Sequence, residues 1–253
     1  MRNILLEIEY VGSAYAGWQA QPEDPTIQLE IEKALKRVTG EEVRLTGSGR
    51  TDSGVHAAGQ AANFPTGSNL PLKAFVAGAN SLLPADISIK SAKVVPMEFD
   101  ARRSALSKTY HYKFFNSPVR SALLARFGWW IPYHLDAAAM ELAASQFSGT
   151  HDFGAYRSAG CDAKHSVRTI AAARIVKAGP LITFEVVGNG FLRNMVRIMA
   201  GTLCRVGAGK MSPEEIPASL ISGDRRDAGP TAPPWGLTLF KVVYPPDESE
   251  SYP

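Results

Sequence analysis

Residues 46–60 of this chain read Thr-Gly-Ser-Gly-Arg-Thr-Asp-Ser-Gly-Val-His-Ala-Ala-Gly-Gln. Four glycines allow a tight backbone path with positive φ at several points. The only formal charges in the segment are Arg50 and Asp52, two residues apart. A carboxylate held in such a loop, with a guanidinium able to keep it ionised, suits a carboxylate nucleophile. The ordinary alternative is an aspartate that bonds backbone N–H groups and merely turns the loop. A phosphate cradle does not fit. Gly49 and Gly54 have the P-loop separation, but Val55-His56 stands where Lys-Ser/Thr is needed, and there is no Gly-x-Gly-x-x-Gly spacing at this point. A glycoside hydrolase usually needs two carboxylates flanking the bond, and the segment holds one.

A second chemical signal is the placement of charge. The net charge of +3 is too small to mark a nucleic-acid binder by itself. Yet Ala101 to His134 carries six basic residues (Arg102, Arg103, Lys108, Lys113, Arg120, Arg126), eight aromatics and no acid. Val186 to Pro213 adds four more basic residues, again without an acid. Much of the balancing acid lies in Glu7–Glu42 and Glu214–Glu250. Basic residues mixed with aromatics suit a phosphate backbone with bases available to stack. The bland alternative is that strand aromatics alternate into a core while their basic neighbours face water.

These groups need a scaffold, and the remaining composition says of what kind. With 253 residues, 45% apolar and 20% charged, the chain is long and apolar enough to fold without disulfide or metal staples. Cys161 and Cys204 make neither a disulfide framework nor a paired zinc signature, and Cys161/His165 lacks a second Cys/His pair, so no metal is expected. Glu7 and Glu9 interrupt the first apolar run, and no run reaches membrane-spanning length. The expectation is a cytoplasmic protein without a signal peptide or membrane contact.

The pattern of elements predicts strand Ile4–Tyr10, a helix from an N-cap at Thr26 to Gly40, strands Val43–Thr46 and Gly59–Phe64, a helix Pro71–Leu82, and strand pieces Ile87–Ile89 and Val94–Val95. The order β-α-β-β-α-β is the split βαβ of ferredoxin-like folds. The second half repeats it: strand Thr109–Phe115, helix Asp136–Phe147, strands Val167–Val176 and Leu181–Val187, helix Phe191–Val206, and strand Leu237–Val243, with Pro213–Ile221 as an extra helix. The expectation is α+β: two ferredoxin-like domains, 1–104 and 105–253, with antiparallel sheets and an active-site cleft between them. On the long helix, Arg193 and Arg197 stand four apart and share a face; Gly201 is expected to permit close helix packing. The polar tail Pro245–Pro253 is expected to fray.

Gly49-Arg50-Thr51-Asp52-Ser53-Gly54-Val55-His56-Ala57 resembles the active-site motif of the bacterial-type tRNA pseudouridine synthase A family. Companion blocks follow in order: Tyr15-Ala16-Gly17-Trp18-Gln19, Phe99-Asp100-Ala101-Arg102, Lys108-Thr109-Tyr110-His111-Tyr112, Phe191 to Arg197, and Pro233 to Leu237. The resemblance covers essentially the whole chain. It implies isomerisation of uridine to pseudouridine at positions 38 to 40 of the tRNA anticodon stem-loop, with no cofactor, Asp52 as catalytic aspartate, and a homodimer. It also implies that Tyr110 stacks on the substrate and that Arg197 pairs with the aspartate. Arg50 is expected to bind phosphate or brace the loop, and Arg102 and Arg103 to contact RNA. The reaction needs one carboxylate, acting either at C1′ or on a sugar proton. The competing readings are a non-catalytic RNA-binding protein and an enzyme that binds nucleotide phosphates through residues 46–60.

Overall fold

The computed structural model describes residues 1–161, 163–246 and 251–252. In chain order the strands and helices are β1 (Arg2–Tyr10), α1 (Ile27–Thr39), β2 (Thr46–Gly47), β3 (His56–Thr66), β4 (Ile87–Val95), β5 (Ser107–Asn116), β6 (Trp129–Ile131), α2 (Ala137–Ser145), β7 (Gly149–Asp152), β8 (Val167–Ala178), β9 (Leu181–Gly188), α3 (Met195–Gly207), α4 (Glu215–Ser222), β10 (Leu237–Val243) and β11 (Ser251–Tyr252). A further helix over 72–80 contains a π-helical turn at Ala74–Gly78. The fold is α+β. Two compact units result: Met1–Leu106 with Leu239–Pro253, and Ser107–Thr238. Among the described residues no helix is long and apolar enough to cross a membrane.

In the first unit β1 runs antiparallel to β3 on one side and β4 on the other, with Leu6 opposite Ala62 and Ala92. Ile4, Leu6 and Ile8 are fully buried on one face, while Glu7 and Glu9 are exposed. Helix α1 buries Ile27, Ile31, Ala34 and Leu35, and it ends at Gly40, whose φ of 76° is the left-handed conformation that favours glycine. Thr26 occupies the cap position, but its side chain does not cap. The first helical N–H groups instead meet backbone carbonyls: Ile27 N donates to Gly17 O and Gln28 N to Trp18 O, at 3.2 and 3.0 Å.

Three local expectations change here. Val43–Thr46 is not a strand; only Thr46–Gly47 pairs with β3. The reason is that both backbone groups of Leu45 are taken by side chains of α1, its N–H by Glu32 and its carbonyl by Gln28. The pieces Ile87–Ile89 and Val94–Val95 form one strand, β4. The boundary at 104 also moves, because the last strand returns: β10 pairs with β3. Val242 and Tyr244 pack on the cluster of Leu5, Ala61, Val95 and Ala101, and Tyr244 OH donates to Ala101 O at 2.7 Å. In the tail expected to fray, Ser251 and Tyr252 pair with Lys93 and Ala92 of β4; residues 247–250 and 253 lie outside the described residues.

The second unit is built on β5, β9, β8 and β7, each antiparallel to the next, with the short β6 parallel to β5. Along β5, Tyr110, Tyr112 and Phe114 are buried while Thr109, His111 and Lys113 are only half-buried, the period-two alternation of a half-covered strand. Asp136 caps α2 by accepting from Ala138 N and Ala139 N, worth about 1 kcal/mol. The long helix begins at Met195, not Phe191, because Asn194 takes the left-handed conformation at φ 61°. Arg193 therefore precedes the helix, and the shared-face argument for Arg193 and Arg197 does not apply. Gly201 admits a loop, not a helix: a Cβ there would stand 1.7 Å from Pro230 O.

Candidate active site

Asp52 sits between two buried residues of one loop. Thr51 and Val55 are buried, Asp52 is half-buried, and Arg50 and Ser53 are exposed. Val55 N donates to Asp52 O at 3.1 Å, closing a turn in which Gly54 supplies φ +78°. Both ends of the turn are tied to the segment after β1. Trp18 N donates to Thr51 O at 3.1 Å, and Ser53 Oγ donates to Tyr15 O at 3.1 Å. Gly12 N donates to Nδ1 of buried His56 at 3.1 Å, which makes that imidazole a brace for the loop.

The segment fits because two glycines let backbone approach backbone and a third makes room for a side chain. A Cβ on Gly12 would fall 2.0 Å from Val55 O, and one on Gly17, at φ +103°, 2.6 Å from Thr51 O. A Cβ on Gly47 would meet the Trp18 indole at 2.5 Å. Beneath the loop lies a set of buried polar groups with their bonds made. Tyr10 OH and Thr51 Oγ1 are 2.7 Å apart. Burial holds the Tyr10 hydroxyl far above the ordinary phenol range, so it remains protonated. Gln60, fully buried, accepts from Ser48 Oγ at 2.6 Å and donates to Gly49 O at 3.0 Å. A loop so anchored holds its backbone rigidly while presenting a carboxylate.

The turn after β4 holds Arg102 and Arg103. Asp100 Oδ1 accepts from the backbone N–H of both, each at 2.9 Å, and both side chains are exposed. Asn63 and Asn3, buried, anchor this turn from below: Asn63 Oδ1 accepts from Ala101 N at 2.8 Å, and Asn3 Nδ2 donates to Phe99 O at 3.0 Å.

Tyr110 and Arg197 belong to the second unit. The Tyr110 ring meets Phe191 edge-to-face, centroids 5.0 Å apart. Arg197 Nε donates to Ala232 O at 2.8 Å and Nη1 to Asn194 Oδ1 at 2.7 Å, while Ala232 N returns a bond to Arg197 O. This fastens the segment that continues into Pro233–Leu237. Tyr112 OH donates to Pro233 O at 2.9 Å, and a Cβ on Gly236 would stand 2.6 Å from the Tyr112 ring. The sequence block at 233–237 is thus a packing element for Tyr112, next but one to Tyr110.

The basic and aromatic run at 101–134 resolves into two kinds of residue. Tyr112 and Phe114 are core, as the bland reading had it, whereas Phe127, Trp130 and Tyr133 are exposed, as are Arg120 and Arg126. Pattern reading also missed the residues that hold the loop: Tyr10, Gln28, Glu32, Ser48 and Gln60. Gln28 and Glu32 stand four apart on α1 and bond each other, but their contact with Leu45, like those of Tyr10, Ser48 and Gln60, is to a partner distant in the chain.

A family model described as tRNA pseudouridine synthase matches residues 7–102 and 143–245. The chain is 51% identical over 244 residues to the tRNA pseudouridine synthase A of Caldicellulosiruptor bescii, and 50% identical over 244 residues to that of Pelobacter propionicus. Each alignment covers 96% of this chain and the whole of the relative. Among solved structures, a chain from the crystal structure of a Cbf5–Nop10–Gar1 complex aligns with 80% of this chain and 54% of its own, at TM-score 0.33 and 11% identity, too distant to bear on function.

Proposed function

The chain belongs to the tRNA pseudouridine synthase family, and from that premise we propose that it isomerises uridine to pseudouridine at positions 38–40 of the tRNA anticodon stem-loop, with Asp52 as the catalytic carboxylate. The observation that carries this reading is the half-buried carboxylate of Asp52 on a loop pinned by Trp18, Tyr15 and Gly12. The chemistry asks for little else. The N1–C1′ bond breaks, the base turns, the C5–C1′ bond forms, and the hydrogen leaves C5 while N1 gains one. Nothing is oxidised and no water is consumed. A single carboxylate serves at C1′ or at a sugar proton. The base must leave its stack to react, which calls for a stacking ring and cations along the backbone.

Tyr110, Arg50 and Arg197 are the substrate-binding residues in this reading. Tyr110 supplies the ring, braced by Phe191, and Arg197 is oriented by its bonds to Ala232 O and Asn194 Oδ1. Arg102 and Arg103 are the RNA contacts, supported by their exposure on an anchored turn. We read both units as ferredoxin-like, the first on its order β1-α1-β2-β3-helix-β4. Two copies are expected to act on one tRNA, which sedimentation with and without tRNA checks. The test of the activity is tritium release from tRNA labelled at uracil C5, because forming pseudouridine must expel that hydrogen. The wild type releases tritium, and replacing the uridines at 38–40 by cytidine removes the release. Tight tRNA binding without any release establishes the non-catalytic alternative instead.

A further inference from the structure

Arg50 is exposed, yet its guanidinium is one end of a side-chain relay that begins on the buried face of α1. Glu32 Oε1 accepts from Leu45 N and from Gln28 Nε2, both at 2.8 Å. Gln28 Nε2 also donates to Leu45 O at 3.2 Å, while its Oε1 accepts from Gln19 Nε2 and Ala20 N, both at 3.1 Å. Gln19 Oε1 in turn accepts from Arg50 Nε at 3.2 Å. Gln28 and Glu32 are buried and Gln19 is exposed.

The polarity of this relay is fixed at both ends. A carboxylate and a carbonyl only accept, so Gln28 must turn its NH2 toward Glu32 and Leu45 and its oxygen toward Gln19. A guanidinium only donates, so Gln19 must turn its oxygen toward Arg50 and its NH2 toward Gln28. Turning either amide over sets donor against donor at one end and acceptor against acceptor at the other. A structural fastening of residues 19–21 needs only Ala20 N on Gln28; the bond from Gln19 to Arg50 adds nothing to the core. What it does is hold the one cation of the Asp52 loop in a chosen direction.

We propose that Gln19 is a positioning residue, oriented by Gln28, that aims the Arg50 guanidinium at an RNA phosphate. This rests on the reading of Arg50 as a substrate-binding residue, and the test separates the two. Turnover is measured by tritium release from C5-labelled tRNA for the wild type, Gln19→Ala, Arg50→Ala and the double variant, with thermal melting on each. Gln19→Ala is expected to raise KM roughly five-fold with kcat within about two-fold and an unchanged melting temperature. The double variant is then no worse than Arg50→Ala alone, because the relay has nothing left to aim. A normal KM in Gln19→Ala, or losses that multiply in the double variant, overturns the relay while leaving Arg50 a binding residue. A normal KM in Arg50→Ala overturns the binding reading, and the relay with it.

Discussion

The loop around Asp52 and the turn carrying Arg102 and Arg103 both place charged residues on irregular backbone of the same unit, and they are held in different ways. In the turn, buried Asn3 and Asn63 anchor the backbone and Asp100 takes two N–H groups, after which the arginine side chains stand exposed. In the loop the fixing goes further. Thr51 is bonded at its hydroxyl and its carbonyl, the turn at 52–55 is closed on itself, and Arg50 is held at Nε. The turn leaves its two guanidinium groups exposed on an anchored backbone, while the loop restrains the segment that carries its one carboxylate. The two segments differ accordingly in what substitution does to them.

The largest contrast is at the charged groups themselves. Asp52→Asn is expected to lower turnover roughly a thousandfold or more, with tRNA affinity within a few-fold and the melting temperature unchanged. Next comes the close approach under the loop. Gly12→Ala pushes a methyl into Val55 O; it should cost about 1–3 kcal/mol in denaturant unfolding and reduce kcat more than KM. Tyr10→Phe keeps the ring and removes only the hydroxyl at Thr51, for about 1 kcal/mol of stability and a several-fold fall in kcat. The smallest effects belong to the turn: Arg102→Ala and Arg103→Ala should each raise KM a few-fold, leave kcat alone, change stability by less than about 0.5 kcal/mol, and lower the salt slope of tRNA binding by about 1. A fall in kcat in the arginine variants, or a rise in KM alone at Tyr10, would erase the distinction between the two segments.

Much of the fold was legible because it is local. The alternation of β5, the apolar face of α1, the glycine after it and the Asp136 cap are each written within a dozen residues. What pattern reading misplaced depends on distant partners. Residues 43–45 have strand-like composition, yet Gln28 and Glu32 take the backbone bonds that a strand would need. Asn194 turns left-handed while its side chain bonds Ser158 and Arg197, so α3 starts late. The site divides in the same way. Asp52 and Arg50 stand out as the only charges in a glycine-rich loop, whereas Tyr10 and Gln60 look like ordinary strand residues until the fold brings them under Thr51 and Gly49.

We propose that this restrained loop delivers one carboxylate, Asp52, to the chemistry. Single-turnover tritium release, with enzyme in excess over tRNA labelled at C5 of its anticodon-arm uridines, tests it directly when wild type and Asp52→Asn are run beside a filter-binding measurement. Wild type should release the label from uridines at 38–40, and Asp52→Asn should release none above background while retaining the tRNA. Release by Asp52→Asn at the wild-type rate, or binding without release by the wild type, would contradict it.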